Sequence, residues 1–275
     1  MATFNRTESN MAQMNLITFS VPFFYTIFTR LKGNLFSFLY FILFEWVVAI
    51  FILFLVEHYT FIQSLRYYFL AYLAFISLYE IGYFVNDVFS VRYEKYPRHR
   101  LNNMNISSGM AILFVGVRLT VFAVITTVLD FWHEPRWTGF YIALVIIFSI
   151  HNLLRKKDLK PITFLGLASL RFFGPILSFI SLETFHLLLP PFVLCYLVYR
   201  FLSYLDSKDL LKIPSRADVK WKVYYYGVVT ILNGFLSLYL GSLIPFLISI
   251  YFLVLWSVVF VCFPSLNSKT TFRSV

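Results

Sequence analysis

The chain has 275 residues, 60% of them hydrophobic and only 13% charged, with a formal net charge of +10. Soluble domains carry about 25% charged residues, so this composition excludes an ordinary soluble fold and points to a polytopic membrane protein. The positive balance alone would suit nucleic acid, but most Lys and Arg stand in short loops between apolar runs, where topology accounts for them and nucleic acid is not expected as a partner.

Residues up to Asn15 are polar, with no signal-peptide pattern. Residues 16–29 are apolar but too few to cross a bilayer, so they are expected to form a helix lying on the membrane. Spans are then expected at 35–56, 60–85, 109–131, 138–154, 162–182, 187–205, 223–240 and 244–263. This gives an all-α polytopic membrane helix bundle of about eight to nine transmembrane helices. Residues 1–34 form a tail and interfacial helix, 35–263 a single transmembrane domain, and 264–275 a second tail. Gly166, Ser169, Gly174 and Pro175 permit close helix approach or a kink in the fifth span. Cys195 and Cys262 lie in apolar runs and read as small buried residues, not as a disulfide.

Eighteen of the 23 basic residues fall on one side of this arrangement, and Arg136 alone falls on the other. That asymmetry predicts cytoplasmic termini, in the inner membrane if the source is bacterial, and basic cytoplasmic loops after the second, fourth and sixth spans. Such loops would give one mouth of the bundle a positive potential attractive to a polyanion.

The stretch 80–100 is the richest in chemistry. On a continuing helix Asp87, Ser90 and Glu94 stand at i, i+3 and i+7 and share one face, with Asn86 adjacent. Hard oxygen ligands on one face suit Mg²⁺. Arg92, Lys95, Arg98 and Arg100 follow and could hold phosphate oxygens. The same residues also read as a solvated cytoplasmic loop. Asp206 and Asp209, at i and i+3, are candidate ligands of a second metal if their helix continues. Lys156, Lys160, Arg200 and Lys208 are further candidate phosphate contacts from the other basic loops. His151 reads as a base, a phosphate donor or a capped interfacial histidine.

Charges inside spans are costly and normally face a bundle interior. Glu45, Glu80, Arg118 and Arg171 could fix helix packing as a buried Glu–Arg cluster, or line a cavity. Glu80, Tyr83, Arg118 and Arg171 are the candidate cavity residues, and Arg66, near a span end, is expected to snorkel. Walker, dinucleotide, zinc-protease and serine-hydrolase motifs are absent, as are internal repeats.

Asn86-Asp87-x-x-Ser90-x-x-x-Glu94, followed by Lys95-x-Pro97-Arg98-x-Arg100, resembles the first signature of the UbiA superfamily of intramembrane prenyltransferases, NDxxDxxxD with a basic, Pro-containing continuation. The resemblance implies a helical bundle around a central cavity that admits a polyprenyl tail from the bilayer. It also implies Mg²⁺ bridging acidic motifs to a diphosphate, with Asp87, Glu94 and Asp206 catalytic. The expected activity is transfer from a polyprenyl diphosphate to an aromatic acceptor. One branch of the superfamily instead moves phosphoribosyl from a soluble ribosyl diphosphate to polyprenyl phosphate, and a non-catalytic lipid-binding paralogue is a third expectation. Ser90 and Glu94 depart from the signature, and the upstream acid of the second motif is replaced by Leu202 or Tyr199.

Overall fold

A computed structural model describes residues 21–31, 33–93, 100–101, 106–213 and 218–263. Every regular element in them is helical. Among the described residues seven helices are long and apolar enough to cross a membrane, so the chain is an integral membrane protein of all-helical class. We number the helices α1 (Phe24–Thr29), α2 (Leu35–Val56), α3 (Phe61–Val88), α4 (Ser108–Val128), α5 (Pro135–Leu153), α6 (Lys160–Phe173), α7 (Leu182–Ser207), α8 (Val219–Leu240) and α9 (Ile244–Cys262).

Side chains fix where several of them start. Thr60 and Gln63 form a reciprocal capping box on α3, which satisfies two otherwise orphaned donors. Ser107, Glu134, Ser181 and Asp218 cap α4, α5, α7 and α8 through their side-chain oxygens. Pro135 occupies the first turn of α5, where its missing N–H is harmless. Gly241, at φ 64°, ends α8 in the left-handed conformation that a tight hairpin to α9 requires.

The expected fifth span is not one continuous helix. α6 stops at Phe173, and residues 174–179 run on as turns. Its 14 residues rise only about 21 Å, short of a roughly 30 Å hydrocarbon core. The break has a local cause. Pro175 cannot donate a helical hydrogen bond. A β-carbon at Gly174 would lie 2.5 Å from the Phe140 ring and 2.9 Å from Phe75, so the backbone there runs against aromatic side chains. The turn is buried at Phe173, Ile176, Phe179 and Ile180. Its polar groups find partners: Leu177 N–H donates to the Phe173 carbonyl at 2.7 Å, Tyr59 O–H to that of Phe179 at 3.3 Å, and Ser181 N–H to Glu57 Oε1 at 2.8 Å. Irregular backbone at membrane depth is tolerated only when it is buried and satisfied in this way.

The chain divides into two compact units. The first comprises residues 1–50, 60–156 and 170–178, and the second residues 51–59, 157–169 and 179–275. In the first, α1 does not simply lie on a lipid surface, as its length suggests. Tyr25 is fully buried against Phe84 of α3 and Phe114 of α4, whose rings stack at 4.5 Å. In the second, α7 passes through Pro190 and Pro191 and then widens into a π-helical turn, Phe192–Leu197. Tyr225 O–H donates to the Leu194 carbonyl and Tyr226 O–H to that of Cys195, at 2.9 Å for the latter. Tyrosines on α8 thus satisfy carbonyls in the irregular turn. Cys195 is buried, as expected, whereas Cys262 is exposed at the end of α9.

Candidate functional site

Among the described residues the first unit holds three ionic groups built on buried carboxylates, besides the exposed Arg136–Glu134 pair. The deepest joins Glu80 of α3 to Arg118 of α4. Arg118 Nη2 donates to Glu80 Oε2 at 2.7 Å and Nε at 3.1 Å, while Thr26 N–H of α1 donates to Oε1 at 2.7 Å. Both ionic side chains have no exposed surface. The Arg118 guanidinium also lies 3.3 Å from the Phe114 ring centroid. A desolvated pair is stable only with such complete satisfaction, and α1 is therefore part of the ionic core.

The second group joins Glu45 of α2 to Arg171 of α6, 3.0 Å apart, with Arg171 over the Phe41 ring at 4.7 Å. Glu45 lies in a π-helical turn, Ile42–Trp46. Of the two arginines expected to meet in-span acids, each takes a different one, so the buried ions form separate pairs and not one cluster.

The third group lies at the end of α3 and is the candidate site. Asp87 is buried, its side chain fully so. Tyr25 O–H donates to its Oδ2 at 2.7 Å, Arg30 Nη2 to both oxygens at 3.0 Å, Arg100 Nη1 to Oδ1 at 3.2 Å, and Asn86 Nδ2 to Oδ1 at 3.3 Å. Tyr83, one turn earlier, presents its ring to the Arg30 guanidinium at 4.0 Å, a cation–π distance. Burial and the adjacent Asp87 charge push the Tyr25 hydroxyl up from its ordinary pKa, so it remains a donor at neutral pH. Burial and the neighbouring Arg30 charge push Arg100 down, opposed by Asp87.

Two expectations about this region are corrected. First, α3 ends at Val88, and Ser90–Tyr93 is a 3-10 turn. The i, i+3, i+7 face proposed for Asp87, Ser90 and Glu94 therefore does not continue past Asp87. Second, Asp87 is a buried, ion-paired carboxylate and not a solvated loop residue. In this arrangement its oxygens already meet Tyr25, Asn86 and two arginines, which does not fit a standing Mg²⁺ ligand. Among the described residues no group of three or more His, Cys, Asp or Glu could hold a metal ion. Glu94, Lys95 and Arg98 lie outside the described residues.

The other candidates are distributed as follows. Arg92 is exposed, 6.0 Å from the Phe89 ring. Arg155 reaches Tyr93 at 5.4 Å, and Lys156 is exposed beside it. Asn152 Nδ2 donates to the Gly82 carbonyl at 3.1 Å, tying the end of α5 to α3. In the second unit, Lys160 is buried at the start of α6, Arg200 lies 5.4 Å from the Tyr196 ring, and Lys208 lies 5.8 Å from that of Tyr204. Asp206 accepts from Ile213 N–H at 3.3 Å. Asp209 lies past the end of α7 at φ 56°, so the helical i, i+3 register expected for this acidic pair is broken.

Sequence reasoning missed Tyr25 and Thr26 and assigned Arg30 to topology alone. Tyr25 is 62 residues from the carboxylate it binds, a separation that no local period signals. No protein-family model, curated protein or solved structure matches the chain.

Proposed function

We propose that this chain is an integral membrane transferase of UbiA-like type acting on a polyprenyl phosphate or diphosphate. The observation that carries the reading is the convergence of Arg30 and Arg100 on one buried carboxylate at the end of a membrane helix. Two guanidinium groups against a single acid leave a net positive charge in a partly desolvated place. Arginine there favours phosphate oxygens, to which it forms charge-assisted bonds. Apolar helices around the site suit an approach by a lipid substrate from the bilayer, and a cytoplasmic mouth, expected from the basic loops, suits a soluble co-substrate. In this reading Tyr25 and Asn86 hold Asp87 in place, Arg30 and Arg100 bind and orient the phosphate, and Arg92, Arg155 and Lys156 raise the local positive potential.

The test is turnover by detergent-purified protein. One arm supplies radiolabelled polyprenyl phosphate with ribosyl diphosphate, and the other an allyl diphosphate with an aromatic acceptor. A labelled product in either arm supports the transferase and identifies the donor, and repetition in EDTA reports whether a divalent cation is needed. Binding of polyprenyl phosphate without product in either arm would instead support a non-catalytic lipid-binding protein. The occupied state of Asp87 favours that second reading.

A further inference from the structure

Asp87 stands where an anionic ligand of the arginines would stand. Its carboxylate lies between Arg30 and Arg100, whose side chains keep 15% and 30% of their exposure while its own has none. The donors are incompletely used. Both bonds from Arg30 come from Nη2, and its Nε is buried with no hydrogen-bond partner. A carboxylate has two oxygens to offer this pair, whereas a terminal phosphate has three and can engage the remaining donor. The nearest other in-span acid, Glu80, is committed to Arg118 and Thr26 and does not compete.

We propose that Asp87 is a built-in occupant of an anion site formed by Arg30 and Arg100, and that a phosphate monoester or diphosphate group binds by displacing it. The inference rests on the phosphate-binding reading above and adds a direction to it. On binding, both arginines pass their hydrogen bonds from the carboxylate to phosphate oxygens, while Tyr25 and Asn86 keep theirs to Asp87. The carboxylate is then a competitor of the substrate. Resting occupancy by Asp87 keeps both partly buried guanidinium groups hydrogen-bonded and offsets one of their two charges when no ligand is present, which lowers the cost of leaving buried charge unpaired.

The competitor role sets the sign of a binding experiment. Full-length protein in detergent, with EDTA present, is titrated with inorganic pyrophosphate and separately with polyprenyl phosphate in mixed micelles. Asp87→Asn removes the competing charge and retains the shape, so it should bind pyrophosphate about tenfold or more tightly than wild type. Arg100→Gln should weaken binding by a similar factor. Tightening with both probes means that the site reads phosphate alone, and tightening with polyprenyl phosphate only means that it reads a lipid headgroup; both support the exchange. If wild type binds either probe and Asp87→Asn binds neither more tightly, the exchange is overturned while the phosphate-binding reading survives. If wild type, Asp87→Asn and Arg100→Gln all fail to bind both probes, that reading falls and the exchange falls with it. Should Asp87→Asn not fold, infrared difference spectra of wild type answer the same question. Phosphate should shift a carboxylate stretching band in wild type and not in Arg100→Gln, and an unshifted band in wild type at saturating phosphate overturns the exchange.

Discussion

Two regions, the buried ionic groups of the first unit and the irregular turn of α7 in the second, solve the same problem with different chemistry. Both place polar groups inside apolar helices, where an unsatisfied one is expensive. The first unit does it with opposite charges: Glu80 with Arg118, Glu45 with Arg171, and Asp87 with Arg30 and Arg100. The irregular turn of α7 in the second unit is served by neutral donors, the hydroxyls of Tyr225 and Tyr226, with Asn233 Nδ2 reaching Cys195 Sγ at 3.6 Å. Ion pairs cost more to desolvate and penalise the loss of one partner heavily. Neutral bonds tie elements together at about 1 kcal/mol each. The charge pairs therefore tie their helices together at a high penalty for losing one partner, while the α7 turn uses contacts suited to holding a distorted helix.

Breaking the deepest pair should have the largest effect. Arg118→Leu leaves Glu80 buried without its counter-ion, held only by Thr26 N–H, and is expected to lower stability by about 3–5 kcal/mol in denaturant titrations of the detergent-solubilised protein. The double variant Glu80→Gln with Arg118→Leu should recover most of that loss, because no charge is then stranded. Failure to recover would mean that the pair itself, and not the stranded ion, carries the stability. Gly174→Ala comes next. Its new methyl group meets Phe140 and Phe75, and overpacking of this kind costs about 1–3 kcal/mol, seen as a lower unfolding midpoint.

Tyr226→Phe sharpens the contrast from the neutral side. It removes one donor to the Cys195 carbonyl and should cost about 1–2 kcal/mol, clearly less than Arg118→Leu by the same titration. The smallest effect is expected at Arg136, which pairs with Glu134 across 3.1 Å and is half exposed. Arg136→Gln should shift stability by less than about 1 kcal/mol. If it matched Tyr226→Phe, exposure would not be what separates ionic from neutral contacts in this protein.

Much of the helical framework was legible from hydropathy because each long apolar run had to become a helix to satisfy its own backbone. The ends of α2, α4 and α9 fall within three residues of expectation. The run 162–182 misled for the same reason: it is predominantly apolar despite Arg171, and only Gly174-Pro175 marks the break, a pair that also fits a simple kink. At the candidate site the sequence exposed Asp87, Asn86 and Arg100 as a group of interest. It did not expose the partners, since Tyr25 and Arg30 come from a short helix whose docking depends on Phe84 and Phe114 of two other helices. The acidic pair 206 and 209 failed because local periodicity was extended beyond a helix that stops at Ser207.

The interrupted segment after α6 bears on biogenesis. As a nascent stretch, 162–182 is apolar enough to leave the translocon like any other span, and in lipid alone its backbone would have to be helical. Its final form is a short helix followed by turns, with Tyr59 and Glu57 supplying hydrogen bonds to the backbone at Phe179 and Ser181. If this stretch enters the bilayer as a helix, residues 174–179 unwind when the residues preceding α3 are in place to receive them. Membrane integration and final assembly would then be separate events for this stretch, the second a conformational conversion and not merely the docking of preformed rods.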